Sequence, residues 1–212
     1  MHRRTAVLGL ALIAIGAVSS GRSAGTEAFA PAVGAEIRFE LQDTKGGTVS
    51  GTDLRGRWVL VFFGYTSCPD LCPTVLLEIA RTLAQLGPLA ERVQPIFVSV
   101  DPQRDTPKVL REYVNDFDER ILPLTGTPEQ LDRAAKSFGV EFFKVPGSAP
   151  GDYTIAHSAI ITLLGPEGGL VMRMSTDVSA DQLASKLIKL IEVDGSRALG
   201  EPPALLLGGR WQ

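Results

Sequence analysis

Short apolar runs alternate with amphipathic segments along most of this chain. Residues 58–63 (WVLVFF) and 93–100 (VQPIFVSV) are nearly continuous apolar runs, which are typical of strands buried on both faces of a sheet. Between them, apolar residues recur at helical spacing until Gly87-Pro88, which predicts an amphipathic helix with one buried stripe. The members of that stripe are Leu76, Ile79, Leu83 and Leu86.

The rest of the chain continues the alternation of strands and helices. Extended segments are predicted at residues 121–124 and 140–145, and residues 153–164 and 170–174 are predicted to form two long strands of a hairpin. A small N-terminal hairpin is predicted around Gly46-Gly47. Three further helices are predicted, ending near residues 117, 139 and 193, and this order indicates an α/β domain whose central sheet is flanked by helices. Their starts are marked by Thr106-Pro107, Thr127 with Gln130, and Ser179 with Gln182.

The ends of the chain differ from this domain in composition. Arg3 and Arg4 precede an apolar run at residues 6–18, which is shorter than the roughly 20 residues of a membrane span. We therefore predict an export signal or an N-terminal membrane anchor at residues 1–25, followed by a linker at residues 26–34. The folded domain is predicted at residues 35–193, and residues 194–212 lack periodicity and are predicted to be disordered.

The charge balance excludes one class of partner. The 212 residues carry 21 basic and 24 acidic side chains, and residues 1–25 contribute three of the basic ones and none of the acidic ones. The remainder is therefore acidic, and it contains no cluster of Lys or Arg. Nucleic acid is not an expected partner.

The chemistry is concentrated in Cys68 and Cys72, which are the two cysteines of the chain. They lie between the first apolar strand and the first turn of the helix that follows it, at the carboxyl end of the predicted sheet, where open α/β sheets bind ligands. The positive end of a helix favours a thiolate, so we expect these thiols to be more acidic than a free cysteine. Their C-x-x-x-C spacing differs from the thioredoxin C-x-x-C motif and is compatible with a structural disulfide, a redox-active dithiol or a soft-metal site.

His157 is the candidate third ligand, because it is the one histidine beyond residue 25. Two thiolates and one imidazole suit Cu(I) in a trigonal site, or Cu(II) with an additional oxygen ligand, whereas zinc prefers four ligands. A redox enzyme without a metal would not require His157. Asp70, Asp101 and Asp105 are nearby acidic candidates, and the first two could support the ligands from outside the coordination sphere; the alternative is that they are solvated loop residues.

Three segments, in this order, resemble the Sco/SenC family of copper proteins. They are residues 64–73 (GYTSCPDLCP), residues 98–107 (VSVDPQRDTP) and residues 153–158 (YTIAHS) with the following LLGPEG at residues 163–168. The resemblance implies a thioredoxin-like fold with a peroxiredoxin-like elaboration and a copper site formed by Cys68, Cys72 and His157. One departure concerns Ala156, because many relatives have Asp immediately before the histidine.

The resemblance also implies a role in the assembly of cytochrome c oxidase. The leading hypothesis is a copper metallochaperone without enzymatic turnover, which delivers copper to the binuclear centre of oxidase subunit II or to another copper-site apoprotein, after loading by an upstream copper donor. The alternative is a thiol–disulfide oxidoreductase that reduces the cysteines of such a centre. A thiol peroxidase is disfavoured, because no Arg or Lys lies within the cysteine loop. Family members usually face the periplasm or the intermembrane space, so we expect an exported, periplasmic protein that is either released or held at the inner membrane by its N-terminal segment.

Overall fold

A computed structural model describes the backbone of residues 31–198 and the side chains of residues 31–195. The predicted export segment, most of the predicted linker and residues 199–212 of the predicted tail lie outside the described residues. Among the helices that the structure describes, none is long and apolar enough to cross a membrane.

The described chain forms nine strands and four α-helices, and it has the predicted mixture of both. Two short 3-10 turns, Gly51–Leu54 and Gly87–Arg92, connect some of them. The elements in chain order are β1 (Glu40–Asp43), β2 (Thr48–Ser50), β3 (Trp58–Gly64), α1 (Leu71–Leu86), β4 (Val93–Ser99), α2 (Pro107–Asn115), β5 (Leu122–Thr125), α3 (Pro128–Phe138), β6 (Phe142–Pro146), β7 (Tyr153–His157), β8 (Ile160–Leu164), β9 (Leu170–Ser175) and α4 (Ala180–Ala198).

Seven of the strands form one mixed sheet in the order β2-β1-β5-β4-β3-β8-β9. The central strands β3, β4 and β5 are parallel, and β1 and β8 join them antiparallel on either side. The predicted N-terminal hairpin is β1 and β2, and it extends the sheet beyond β5. Because β3 and β4 are parallel neighbours joined by α1, the loop after β3 lies at the carboxyl edge of the sheet, as expected.

The sheet separates two hydrophobic cores, since every residue of β3 is buried. Alternate side chains of a strand point to opposite faces, so Trp58, Leu60 and Phe62 pack with α1, α2 and α4. Val59, Val61 and Phe63 pack with α3 and the segment before β1 on the other face. The predicted stripe on α1 is fully buried in the first core, and burial of both faces explains the continuous apolar run of β3.

The prediction of one long strand at residues 153–164 is wrong. β7 ends at His157 and β8 begins at Ile160; β8 joins the main sheet, whereas β7 pairs with β6 in a separate two-stranded ribbon. The segment contains neither Gly nor Pro, so the sequence carries no local signal for the break. The bend is held by a longer-range contact, because the Ser158 N–H donates to the carbonyl oxygen of Glu141 at 2.9 Å.

Two helix limits also differ from the pattern-based prediction. The amphipathic pattern of α1 opens at Pro73 in the sequence, but the helix begins two residues earlier, at Leu71, and Cys72 lies inside its first turn. α4 begins after the predicted Ser179–Gln182 capping pair, but it continues to Ala198 rather than ending near residue 193. The first residues assigned to a disordered tail, 194–198, are therefore helical.

Candidate metal centre

Cys68 and Cys72 are positioned by the transition from β3 to α1. Cys68 lies in the connecting loop, where its N–H donates to the carbonyl oxygen of Tyr65 at 3.3 Å. The N–H of Cys72 is one of the unpaired donors of the first helical turn, and it points at Cys68 Sγ at 3.4 Å. Both cysteines are free; Cys72 is fully buried and Cys68 is half-buried.

The bend after β7 brings His157 to the two cysteines. Its Nε2 lies 3.7 Å from Cys72 Sγ, and one ligand atom from each of Cys68, Cys72 and His157 lies within 4.8 Å of the other two. The histidine is separated from Cys72 by 85 positions in the chain, so this cluster exists only because of the tertiary fold.

The imidazole of His157 is held from three sides. The ring of Tyr65 meets it edge-on, with 6.0 Å between centroids and an interplanar angle of 87°, and the ring of Phe62 lies 5.9 Å away. Its Nδ1 lies 3.4 Å from the carbonyl oxygen of Ser158. An Nδ1–H that donates to this carbonyl leaves the lone pair of Nε2 facing the sulfurs, which is the tautomer a metal ligand requires.

Burial sets the protonation of the site in the metal-free protein. It lowers the pKa of His157, which favours the neutral imidazole, although the hydrogen bond to Ser158 acts in the opposite direction. Burial raises the pKa of the Cys72 thiol most strongly; a hydrogen bond with the backbone of Tyr65 opposes this rise, and electrostatic interactions with Cys68 and Asp105 add to it. The expectation of a more acidic thiol is therefore wrong for Cys72, because desolvation outweighs the helix N-terminus; a metal must displace its proton.

Gly64, the last residue of β3, leaves space for the sulfur of Cys72. A Cβ at this position would lie 2.7 Å from Cys72 Sγ and 2.7 Å from a ring carbon of Phe97. The backbone of β3 therefore approaches the first turn of α1 more closely than a residue with a side chain allows, which is a recognised use of glycine in strands.

Asp105 anchors the loop that carries Cys68. Its carboxylate accepts hydrogen bonds from the N–H of Thr66 at 3.0 Å, from Thr66 Oγ1 at 2.6 Å and from Ser99 Oγ at 2.5 Å. The side chain is almost fully buried. Because Thr66 is two residues before Cys68, these bonds tie the cysteine loop to the end of β4.

The other two acidic candidates, Asp70 and Asp101, differ in burial and in hydrogen bonding. Asp70 is exposed at the N-terminus of α1, and its carboxylate makes no capping hydrogen bond. Asp101 is completely buried, accepts a hydrogen bond from Tyr153 Oη at 2.8 Å and forms an ion pair with Arg104. Ala156 lies on β7 opposite Phe143, whose side chain is exposed.

Sequence reasoning missed the roles of Tyr65, Arg104 and Tyr153 around the site. Each of them lies in one of the three motif segments, which is the signal that could have directed attention to them. Their contacts with one another join separate segments, and no local pattern specifies such contacts.

The fold and this cluster define a class of protein. It is an α/β protein in which two cysteines, after the first buried strand, lie beside a histidine of the separate β6–β7 ribbon. Two sulfurs and one imidazole nitrogen are donors that a soft metal prefers. The sequence profile of the SCO1/SenC family matches residues 27–192. The chain belongs to the SCO1/SenC family.

Individual relatives agree with this membership. The bovine (Bos taurus) mitochondrial protein SCO2 homolog is 38% identical over 164 residues, which are 76% of this chain and 62% of that protein. A putative copper-binding protein of Stutzerimonas stutzeri is 37% identical over 157 residues, which are 73% of this chain and 76% of that protein. The match thus spans less than two thirds of the bovine protein.

Solved structures share the fold. The structure of Bradyrhizobium japonicum ScoI with copper bound is 39% identical, covers 74% of this chain and 99% of that one, and has a TM-score of 0.67. Yeast Sco1 with copper bound is 31% identical, covers 86% of this chain and 97% of that one, and has a TM-score of 0.69. These similarities confirm the thioredoxin-like fold that the resemblance implied.

Proposed function

We propose that this protein is a copper metallochaperone that binds copper through Cys68, Cys72 and His157. The observation that carries the proposal is the convergence of two sulfurs and one imidazole nitrogen within 4.8 Å from separate parts of the fold. Relatives solved with copper bound, from Bradyrhizobium japonicum and yeast, support the choice of metal.

The donor set fits copper better than zinc. Two thiolates and one imidazole complete a trigonal Cu(I) site, whereas structural zinc takes four ligands. Within the described residues, the group of His, Cys, Asp and Glu side chains close enough to bind a metal contains these three members. A Cu(II) ion would require an additional oxygen ligand.

Differences in burial suggest how copper leaves the site. Cys68 and His157 are half-buried, whereas Cys72 is fully buried. An acceptor thiolate can therefore reach the metal from the side of Cys68 and His157, and Cys72 would release it last. Such a transfer proceeds by ligand exchange and does not require catalytic turnover.

The acceptor and the compartment follow from the family resemblance. We propose oxidase subunit II, or another copper-site apoprotein, as the acceptor, and an upstream copper donor as the source. We further propose that the protein works after export to the periplasm, with residues 1–25 as signal or membrane attachment.

Copper binding by the full reduced chain tests this function. We expect one copper per chain, with a thiolate-to-Cu(II) absorption band that is lost or displaced in His157→Ala, while the circular dichroism spectrum is unchanged. Asp70→Asn is a matched control, because Asp70 is exposed beside the cysteines and we expect copper binding to be retained. Unchanged copper affinity and an unchanged band in His157→Ala would refute the three-ligand site.

A second candidate function is thiol–disulfide exchange. The observation that favours it is the close approach of the two cysteines, since the Cys72 N–H points at the half-buried Cys68 sulfur at 3.4 Å and both cysteines are free. Cys68 would attack a partner disulfide, and Cys72 would then attack Cys68, releasing a partner dithiol and leaving a Cys68–Cys72 disulfide. We expect Cys72→Ser to trap a mixed disulfide with an oxidised copper-site peptide, independently of His157; failure to trap it would count against this activity.

A further inference from the structure

The ribbon that carries His157 lacks backbone pairing with the main sheet. β6 and β7 hydrogen-bond to each other and form a sheet of their own. An isolated pair of strands is only marginally stable in water, so side-chain contacts must fix its position. β6 contributes little to this attachment, because four of its five residues are exposed and Phe142 is half-buried. The inward face of β7 therefore determines where His157 lies.

Arg104 connects this face to the loop after β4. Its Nη1 donates to the carbonyl oxygen of Tyr153 at 2.9 Å, and its guanidinium carbon lies 3.9 Å from the centroid of the Tyr153 ring. Its Nε donates to the buried carboxylate of Asp101, which also accepts a hydrogen bond from Tyr153 Oη. Arg104 thus holds Tyr153, the first residue of β7, in three ways: it contacts the backbone and the ring directly, and it contacts the hydroxyl through Asp101.

The same guanidinium also reaches the cysteine loop. It lies over the ring of Tyr65, 5.6 Å from its centroid, and this ring meets His157 edge-on. Arg104 Nη2 is buried and has no hydrogen-bond partner among the described residues. The faces of the Tyr65 and Tyr153 rings beside the guanidinium compensate for the missing hydrogen bond of Nη2, because a cation is attracted to the negative face of an aromatic ring.

We propose that Arg104 is a positioning residue that sets His157 relative to Cys68 and Cys72. It fixes both the ribbon that carries the imidazole and the tyrosine that supports it. Only a planar cation with several fixed donors makes these contacts together, since a lysine ammonium has neither the forked geometry nor the stacking face. The inference rests on the proposed metal site for its copper readout, but its first readout requires no metal.

The metal-free test is the NMR spectrum of the His157 ring in the full reduced chain. Its signals are distinguished from those of His2, the chain's other histidine, by comparison with His157→Ala. The wild-type ring should show ring-current shifts from Tyr65 and Phe62. We expect Arg104→Lys to reduce these shifts and to broaden the signals, and an unchanged His157 spectrum in this variant would overturn the proposal.

Copper affinity then separates positioning from general destabilisation. Loss of a direct outer contact to a metal ligand typically weakens binding about 10–100-fold, and because Arg104 acts on His157 only through Tyr65 and β7, we expect a loss at the lower end, about tenfold, for Arg104→Lys. In a His157→Ala background the same change should have little further effect, because Arg104 acts through His157. Equal losses in both backgrounds, or no loss in the wild-type background, would overturn the proposal.

Two additional variants guard against misfolding and unrelated charge effects. Asp101→Asn with Arg104→Gln removes both members of the ion pair, so no unpaired charge is left buried; we expect it to reproduce the effect of Arg104→Lys on the His157 signals. Lys144→Gln is the matched control, because Lys144 also lies over the Tyr153 ring, at 4.1 Å, but bonds to Gln103. A wild-type His157 spectrum in the double variant, or an effect of Lys144→Gln equal to that of Arg104→Lys, would overturn the proposal. If His157→Ala binds copper as tightly as the wild-type protein, the proposed copper site is refuted. The metal-free NMR spectra of the Arg104 variants still test whether Arg104 positions His157.

Discussion

Replacement of Asp105 tests how the fold holds the cysteine loop. Its buried carboxylate accepts three hydrogen bonds, two from Thr66 and one from Ser99. Hydrogen bonds to a charged group contribute about 1.5–3 kcal/mol each, but bonds that share one acceptor are not additive. Because Asp105→Ala leaves buried donors without a partner, we expect it to reduce the free energy of unfolding by about 3–5 kcal/mol.

Asp105→Asn should be considerably milder. The amide retains one oxygen for the Thr66 N–H and Ser99 Oγ, and its NH₂ group can donate to Thr66 Oγ1 once that hydroxyl rotates. The loss is then mainly that of charge assistance, and we expect about 1–2 kcal/mol.

Urea unfolding of the reduced, metal-free chain, followed by circular dichroism, measures both effects. Asp132→Ala is the control, because Asp132 forms an exposed ion pair with Lys136, and such pairs contribute about 0–1 kcal/mol. We also expect Asp105→Asn to retain more copper affinity than Asp105→Ala, since Cys68 follows the anchored Thr66. A loss below 1 kcal/mol for Asp105→Ala, or equal losses for the Asn and Ala variants, would refute this account of the loop.

Three further predictions address packing, helix capping and the histidine. Gly64→Ala should cost about 1–3 kcal/mol of unfolding free energy, because its Cβ would lie 2.7 Å from Cys72 Sγ, and copper affinity should fall with it; denaturation and metal competition measure the two effects. Ser179→Ala removes the hydroxyl that accepts the Gln182 N–H at the start of α4 and should cost about 1 kcal/mol without changing copper affinity, a result that the same two measurements check. In the metal-free protein, ¹⁵N NMR should find the proton of the neutral His157 ring on Nδ1, which lies 3.4 Å from the carbonyl oxygen of Ser158. A proton on Nε2 would contradict the proposed ligand geometry.

The sequence alone determined most of the secondary structure and the location of the dithiol. Apolar runs, capping residues and helix-ending glycines are local signals, and α1, α3 and the parallel strands β3 and β4 follow them closely. The three motif segments also identified the family, and with it a distant histidine as the candidate third ligand. Secondary structure and family membership could be predicted because periodicity and motif order are contained in short stretches of chain, whereas the role of His157 as a ligand stays a prediction.

Only the tertiary structure decided how these parts meet. The strand predicted at residues 153–164 divides between two sheets, although its apolar pattern continues, because pairing with β6 and β3 depends on distant partners. The raised pKa of Cys72 depends on burial by the whole core, which outweighs the local effect of a helix N-terminus. The contacts of Asp105 and Arg104 likewise join segments that are far apart in sequence, and burial and long-range contact have no signature in a local pattern of residues.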